Sequence, residues 1–389
     1  MNPIHKLSEK DFKDIFSLSQ FAFQYRLSDE EIKKKTEETK RHVIWGIKEG
    51  DELAAKLHLI PLSCYINGKS FPMGGISNVA TWPEFRRQGM VKQLLAHALQ
   101  YMKANGQTLS FLHPFSFPFY RRYGWEYTFN EKEYTIPIEK FKKKWETKGY
   151  MRRIKHDYTL LDQVYNEYAK NYNGMLNRDE KWWKQRVLKE EYQVAVSYDE
   201  HEAAAGYVIY QVKKDIMNIM ELVYTNLASL KQLLEFIGNH DSMVKKVEMV
   251  VPENDTLPLL IDEPRFEQKI NPYFMARIVD VQKFLKDFSY EQPSDESATS
   301  IAITVEDDFF PENSGTYFIQ PSSNNVSYSR SVVKSESIQC SIQILTGMFL
   351  GFKRPMEYYD TGLLSGDVSS IQHLEKLIPH RQTFLADFF

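Results

Sequence analysis

The stretch of this sequence whose residue types and spacing speak most directly of chemistry is Val79-Ala80-Thr81-Trp82-Pro83-Glu84-Phe85-Arg86-Arg87-Gln88-Gly89-Met90-Val91-Lys92. An apolar strand runs through a short basic turn into a long amphipathic helix, so the unpaired N–H groups of the first helical turn face whatever fills the turn. That is an anion site. Gly89 lets the backbone come close to a phosphate, and Arg86, Arg87 and Lys92 add formal positive charge around it. No Gly-Lys-Ser/Thr follows, which excludes the P-loop, and the three spaced glycines of a dinucleotide loop are missing.

A second segment is Phe115-Ser116-Phe117-Pro118-Phe119-Tyr120-Arg121-Arg122-Tyr123-Gly124-Trp125. A tyrosine in so aromatic a run is ordinarily core, with its hydroxyl on a carbonyl. Tyr120 can also hold a proton for donation, because a phenol with a pKa of about 10 stays protonated at neutral pH. A third segment is Ala386-Asp387-Phe388-Phe389, an aromatic end where most chain ends are polar and frayed. Two consecutive Phe predict a docked end that carries a free α-carboxylate inward. His58 and His113, beside predicted strands, are rival bases, although a lone histidine near a sheet is more often a hydrogen-bonded core residue. Cys64 lacks a Cys/His signature that would make it an acyl carrier, and Cys340 reads as a buried apolar residue. No cluster has metal-ligand spacing, so no metal is expected.

Elements must position these residues. Phe12 to Phe23 has helical apolar spacing. His42 to Ile47 alternates as a strand, Lys48 to Glu52 forms its hairpin turn, and Leu53 to Leu62 and Cys64 to Ile66 continue as strands, with Asn67-Gly68 as a type I′ turn. The strand Gly75 to Thr81 leads into a helix from Gln88 to Ala104, stopped by Asn105-Gly106, then a buried strand from Thr108 to Leu112 and a helix from Pro118 to Tyr123. This order implies a mixed sheet with a central parallel pair. After an aperiodic Lys-rich stretch, Lys140 to Lys148, a helix is expected from Arg178 to Glu190. Strands from Tyr192 to Ser197, Ala203 to Gln211 and Met217 to Val223, a helix from Leu227 to Gly238 and a strand from Lys246 to Val251 then repeat the first order, which implies a duplicated fold. Ser289 to Ser300 reads as a linker, followed by strands at Ser300 to Val305, Gly315 to Ile319 and Ser337 to Ile342 and a helix at Ser369 to Leu377. Three units follow, over residues 1–150, 151–286 and 287–389.

The 389 residues, with 42% hydrophobic and 26% charged side chains, describe a globular chain able to build several cores. Two cysteines exclude a disulfide framework, and with no export leader at the amino end and no run near ~20 apolar residues, a cytoplasmic location without a membrane span is expected. The net charge of −3 conceals an asymmetry: Met1 to Tyr150 holds 24 Lys and Arg against 17 Asp and Glu, whereas Asp287 to Phe389 holds 6 against 14. A basic front suits a polyphosphate ligand and an acidic back a cationic partner.

Together these segments carry a resemblance. Arg86-Arg87-Gln88-Gly89-Met90 after a Val-Ala-Thr strand resembles the acetyl-CoA pyrophosphate loop of the GNAT superfamily of N-acetyltransferases, Gln/Arg-x-x-Gly-x-Gly/Ala, with Val91 in place of its small last residue. Tyr120 to Trp125 resembles the family's Tyr-x-x-Tyr/Phe-Gly-Phe/Trp segment, whose first tyrosine protonates the departing CoA thiolate. With the aromatic end and the three-unit length, the chain resembles the enhanced intracellular survival (Eis) family of aminoglycoside and lysine N-acetyltransferases. The resemblance implies a fold of tandem GNAT-like mixed sheets with flanking helices, α+β / α/β in class, plus a small C-terminal α+β domain like a sterol carrier protein. It implies that Val79, Ala80 and Thr81 offer backbone groups to the pantetheine arm. Arg87, Gln88, Gly89, Met90, Val91 and Lys92 hold the pyrophosphate, and Phe115 and Ser116, where the family has Ser-Glu, touch the lower cofactor. Tyr120 is then the acid and the Phe389 carboxylate the base, with acetyl-CoA as cosubstrate, a small-molecule amine as acceptor, no nucleic acid as partner and a homohexamer as assembly. Two other readings stand beside it: a protein-lysine or polyamine acetyltransferase, and a non-catalytic protein that binds an apolar ligand.

Overall fold

The computed structural model describes residues 3–291, 300–323, 325–331 and 337–389. The first stretch lays down β1 (Ile4–Lys6), α1 (Phe12–Ala22), α2 (Asp29–Thr39), β2 (Val43–Glu49), β3 (Glu52–Ile66), β4 (Lys69–Thr81), α3 (Met90–Ala104), β5 (Leu109–Leu112), α4 (Phe117–Arg121) and β6 (Glu126–Tyr127). There follow β7 (Asn130–Pro137), β8 (Tyr150–Ile154), α5 (Tyr158–Ala169), the single turn α6 (Glu180–Trp182), β9 (Gln193–Tyr198), β10 (Ala204–Lys213), β11 (Ile216–Tyr224), α7 (Leu227–Gly238), β12 (Lys246–Val251) and β13 (Glu267–Pro272). Then β14 (Met275–Ile278) and α8 (Val281–Asp287) lead to β15 (Ile301–Glu306), β16 (Gly315–Gln320), β17 (Asn325–Ser329), β18 (Ile338–Ser341), α9 (Ile342–Leu350), α10 (Pro355–Asp360) and α11 (Val368–Leu377).

Three mixed sheets result, ordered β1-β2-β3-β4-β5-β14-β6, β13-β7-β12-β11-β10-β9-β8 and β17-β16-β15-β18. The first two share one construction. Antiparallel strands lead to a parallel pair, β4 with β5 across α3 and β11 with β12 across α7. The Asn67-Gly68 turn between β3 and β4 has φ of 50° and 77°, the left-handed pair that a twisted two-residue hairpin requires. α3 packs Leu94, Leu95 and Leu99 on one face of the first sheet against Leu57, Leu59 and Ile76. On the opposite face α1 meets Ile44 and Ala80 through Ile15 and Phe16, while Met73 and Phe111 join the core of the third unit.

Sheet membership changes after β6, so the expected boundary near Tyr150 does not coincide with it. β7 pairs with β12 and β13 in the second sheet, and β14 returns to the first, between β5 and β6. Tyr150 instead opens β8, the edge of the second sheet. The helix expected from Arg178 to Glu190 is reduced to α6 and a wider turn, Trp183–Val187. Consecutive Trp182 and Trp183 are both buried, in different cores, and a regular helix would set them only ~100° apart. Strand Ser337 to Ile342 is shorter, and α9 starts where it was expected to end. Most of the Ser289 to Ser300 linker, residues 292–299, lies outside the described residues.

A fully buried ion pair ties the third unit to the first sheet. Arg277, on β14, donates from Nη2 to Asp307 Oδ2 at 2.5 Å and from Nη1 to the carbonyl of Tyr123, just past α4. Burial pulls the guanidinium down to about 10, although Asp307 favours its charged form. Breaking such a pair strands a charge in the interior, at a cost of about 3–5 kcal/mol, whereas replacing both partners by apolar residues costs far less. Asp307→Asn is therefore expected to lower the calorimetric melting temperature sharply, and the double variant Arg277→Met, Asp307→Leu to recover much of it. An Asp307→Asn protein that melts like the wild type would contradict this account.

Candidate active site

β4 and β5 pair only from Met73–Leu109 to Ile76–Leu112. Beyond that point β5 ends while β4 runs on to Thr81, so Ser77 to Thr81 have a neighbour on one side only, β3. A slip of register between Lys56 and His58 and the left-handed φ of Asn78, 53°, mark a bulge in this free stretch. Lys56 holds the bulge from inside: its buried Nζ donates to the Asn78 carbonyl at 3.0 Å and to Asn78 Oδ1 at 3.2 Å. Ser19 of α1 donates to the same Oδ1 at 3.0 Å. With no carboxylate among these partners, burial pulls the Lys56 ammonium down to about 7.

Val79 and Thr81 are half-buried and Ala80 buried along the open edge. Thr81 Oγ1 is buried without a hydrogen-bond partner. Next comes the turn Pro83–Phe85, then Arg86, Arg87, Gln88 and Gly89, all exposed, and α3 begins at Met90 with Gly89 as its N-cap. Because a glycine cap brings no side chain, the first-turn N–H groups, including those of Val91 and Lys92, stay open to a ligand. Arg87 sits at φ 63° and Gly89 at 78°. A left-handed arginine is strained, and such strain concentrates at ligand sites. A Cβ on Gly89 would touch nothing, so the space above the turn is free. An open strand edge, an orphaned hydroxyl and an uncapped basic helix start fit the thioester arm and pyrophosphate of acetyl-CoA.

Tyr120 lies in α4, just beyond the end of β5, buried on the α3 side of the sheet. Phe119, Phe115 and Trp125 surround it edge-on at 5.1, 5.6 and 6.5 Å. Burial, with Tyr123 adding to it, pushes the Tyr120 phenol well up, so it stays protonated across the physiological range. Phe115 is 74% exposed and forms a rim, while Ser116 caps α4 by position without a side-chain bond.

Phe389 is only 6% exposed. Its ring fills the place of the missing side chain at Gly75, with a ring carbon 2.7 Å from where a Cβ would stand, and faces Phe274 and Trp182 at 5.0 and 6.2 Å. Gly75 is one pair short of the point where β4 and β5 part. Its neighbour Gly74 faces Met102 of α3, so Phe389 lies on the other face of the sheet from Tyr120. The two residues flank one opening from opposite sides.

Of the two rival bases, His58 falls elsewhere, whereas His113 stands one residue past the end of β5, at the opening itself. His58 is buried in a polar cluster, its Nδ1 3.1 Å from Nδ1 of His42 and its Nε2 3.3 Å from Lys56 Nζ, and burial followed by the Lys56 charge holds its pKa well below the ordinary range. His113 is exposed, against Phe388, Phe274 and Tyr273. Cys64 and Cys340 are buried free thiols, both pushed up by burial. Reading the sequence missed Lys56, hidden in an apolar run, and Arg178, which binds Asp387 next to the end. The lone acid in Ala386-Asp387-Phe388-Phe389 was the available signal, since a carboxylate entering a core needs a cation. Among the described residues no group of three or more His, Cys, Asp or Glu is set to hold a metal, and no helix is long and apolar enough to cross a membrane.

Residues 3–128 and 174–278 match two family models, each described as an acetyltransferase (GNAT) domain, and residues 281–386 match that of the sterol carrier protein domain. An uncharacterized N-acetyltransferase of Streptomyces griseus is 23% identical over 327 residues, 76% of each chain. A crystal structure of a conserved protein of unknown function from Enterococcus faecalis V583, described as a probable N-acyltransferase, is 27% identical with a TM-score of 0.91 over 100% of both chains. Eis1 from Mycobacterium abscessus, 18% identical over 100% of both chains, shares the fold with a TM-score of 0.82. The chain is therefore an acyl-transferring enzyme of the GNAT type, with two acetyltransferase domains in tandem and a sterol carrier protein domain behind them.

Proposed function

We propose that this enzyme moves the acetyl group of acetyl-CoA directly to a primary amine of a polycationic acceptor such as an aminoglycoside, in the manner of the Eis family. Acetyl-CoA supplies the activated acyl carbon, and a thiolate leaves when the new C–N bond forms. The backbone of Val79, Ala80 and Thr81 pairs with the thioester arm, and Arg87 to Lys92 hold the pyrophosphate. Phe115 and Ser116 border the arm's lower part. The Phe389 carboxylate takes the proton of the incoming ammonium, directly or through water. Tyr120 gives its proton to the departing sulfur from the other face. Positioning two reactants in one complex supplies much of the rate.

The observation that carries this reading is the seat of Phe389 at the apex of the β4–β5 opening, across the sheet from Tyr120. A cavity of about 1260 Å³ between α1 and α2 borders Trp82 and Arg86 at the basic turn, and we assign the acceptor to it. Its aromatic lining, with Phe12, Phe21 and Tyr25, suits the faces of organic cations. A cavity of that width also admits a lysine of a protein, so the acceptor class is decided by a scan of aminoglycosides, polyamines and lysine peptides with acetyl-CoA, read as free thiol. Loss of thiol release with every amine would overturn the proposal.

Two results are expected once an acceptor is in hand. Tyr120→Phe should lower kcat by roughly 10²-fold or more with little change in KM for acetyl-CoA, the usual size of a lost general acid. A glycine appended after Phe389 should lower kcat comparably. Because the Tyr120 phenol is shifted upward, its deprotonation should bring no alkaline fall in kcat below about pH 10. Wild-type turnover in both variants would exclude these roles. Gly89→Ala, forced to φ 78°, should instead raise KM for acetyl-CoA by roughly tenfold, since a left-handed alanine costs about 1–2 kcal/mol; an unchanged KM would remove the turn from the cofactor site.

A further inference from the structure

The opening in the first sheet has a counterpart in the second. β11 and β12 pair in parallel only from Ile216–Lys246 to Ile219–Met249, after which β11 continues to Tyr224 and β12 to Val251. In the first sheet the parted strands lead to the basic turn. In the second, the chain's own last residues lie there: Phe384, Leu385 and Ala386 border a cavity of about 90 Å³ together with Leu222, Tyr224 and Val251. Main-chain bonds start the seating, with Asn173 N donating to the Gln382 carbonyl and Phe384 N to the Asn173 carbonyl, both at 3.0 Å.

One buried cation completes it. Arg178, its side chain 2% exposed, lies between α5 and α6. Its Nε donates to both oxygens of Asp387 at 3.1 Å, and its Nη1 and Nη2 donate to Glu221 of β11 at 3.1 and 2.6 Å. Trp182 Nε1 donates to Asp387 at 2.7 Å and Tyr207 OH to Glu221 at 2.6 Å. The guanidinium also stacks over Tyr165 at 3.9 Å. All hydrogen-bonding edges of the guanidinium that face these acids are used, and one of the two acids belongs to the sheet while the other belongs to the tail. From Asp387 to Phe389 the chain spans at most ~7 Å, so fixing Asp387 leaves Phe389 little freedom.

We propose that the parted strands of the second acetyltransferase domain are a seat for Phe384 to Asp387, and that Arg178 is the positioning residue that locks this segment and so sets Phe389 at the opening of the first domain. The second domain thus serves catalysis without a ligand of its own, by holding a residue of the third domain in the site of the first. The inference rests on the reading of Phe389 as a participant in proton transfer.

The experiment compares Arg178→Met, Arg178→Lys and Asp387→Asn with the wild type, each first shown to be folded by circular dichroism and melting temperature. Two readouts are taken on the full-length protein: hydrogen exchange of peptides that cover Gln382 to Phe389, and thiol release from acetyl-CoA with spermine and with an aminoglycoside. Asp387→Asn alters only the tail and serves if the arginine variants fail to fold. Expected are at least tenfold faster exchange in the tail with unchanged exchange in α3, and a kcat at least tenfold lower with KM for acetyl-CoA within twofold. Arg178→Lys, which keeps the charge but loses the fork, should fall between. Tail exchange no faster than in the wild type, in a folded variant, overturns the lock. Faster exchange with unchanged kcat overturns the positioning role. In that case a glycine-extended protein of normal turnover assigns the failure to the proton-transfer reading, and one of low turnover assigns it to Arg178.

Discussion

A sheet cannot leave interior main-chain N–H and C=O groups without partners, because each orphan costs about as much as a lost hydrogen bond. Both large sheets of this enzyme nevertheless part their central parallel strands after four residue pairs. Everything else follows from how that debt is settled. In the first sheet the free edge of β4 is kept open, propped by a bulge that Lys56 and Ser19 hold, and an uncapped helix start waits at its end. In the second sheet the chain's last residues border the parted strands across a small cavity. One architectural feature, present twice, is left open in the first sheet, where we propose a ligand site, and faces the chain's own last residues in the second, where we propose a mounting.

Much of the first copy was legible in the sequence because its determinants are local. A strand, a basic turn with a glycine and an amphipathic helix occupy adjacent positions, and Asn67-Gly68 dictates its own turn. The duplicated order of strands and helices also showed, since each element carries its own period. The aromatic Phe388-Phe389 pair announced a docked end, although only Phe389 is buried and Phe388 is more than half exposed.

The remainder was illegible for a physical reason: pairing between distant strands leaves no trace in local periodicity. Nothing in Met275 to Ile278 says that it belongs between β5 and β6, and nothing in Asn130 to Pro137 says that it has left the first sheet. Lys56 was passed over because a lysine in an alternating strand normally faces water, whereas β3 is covered on both faces here. Arg178 was lost for the same reason, its two acids standing 43 and 209 residues away.

The placement of β14 has a consequence for how the molecule comes into being. The first sheet is interrupted between β5 and β6 until Met275 to Ile278 arrives, and Arg277 then clasps Asp307 farther on still. On a ribosome the leading domain must therefore wait, with a gap in its sheet, while the whole second domain emerges. Long-range pairings of this kind are slow to form and leave strand edges exposed meanwhile. The covering of that edge couples the three domains into one late folding event, so that they mature as a unit although they are separable in sequence.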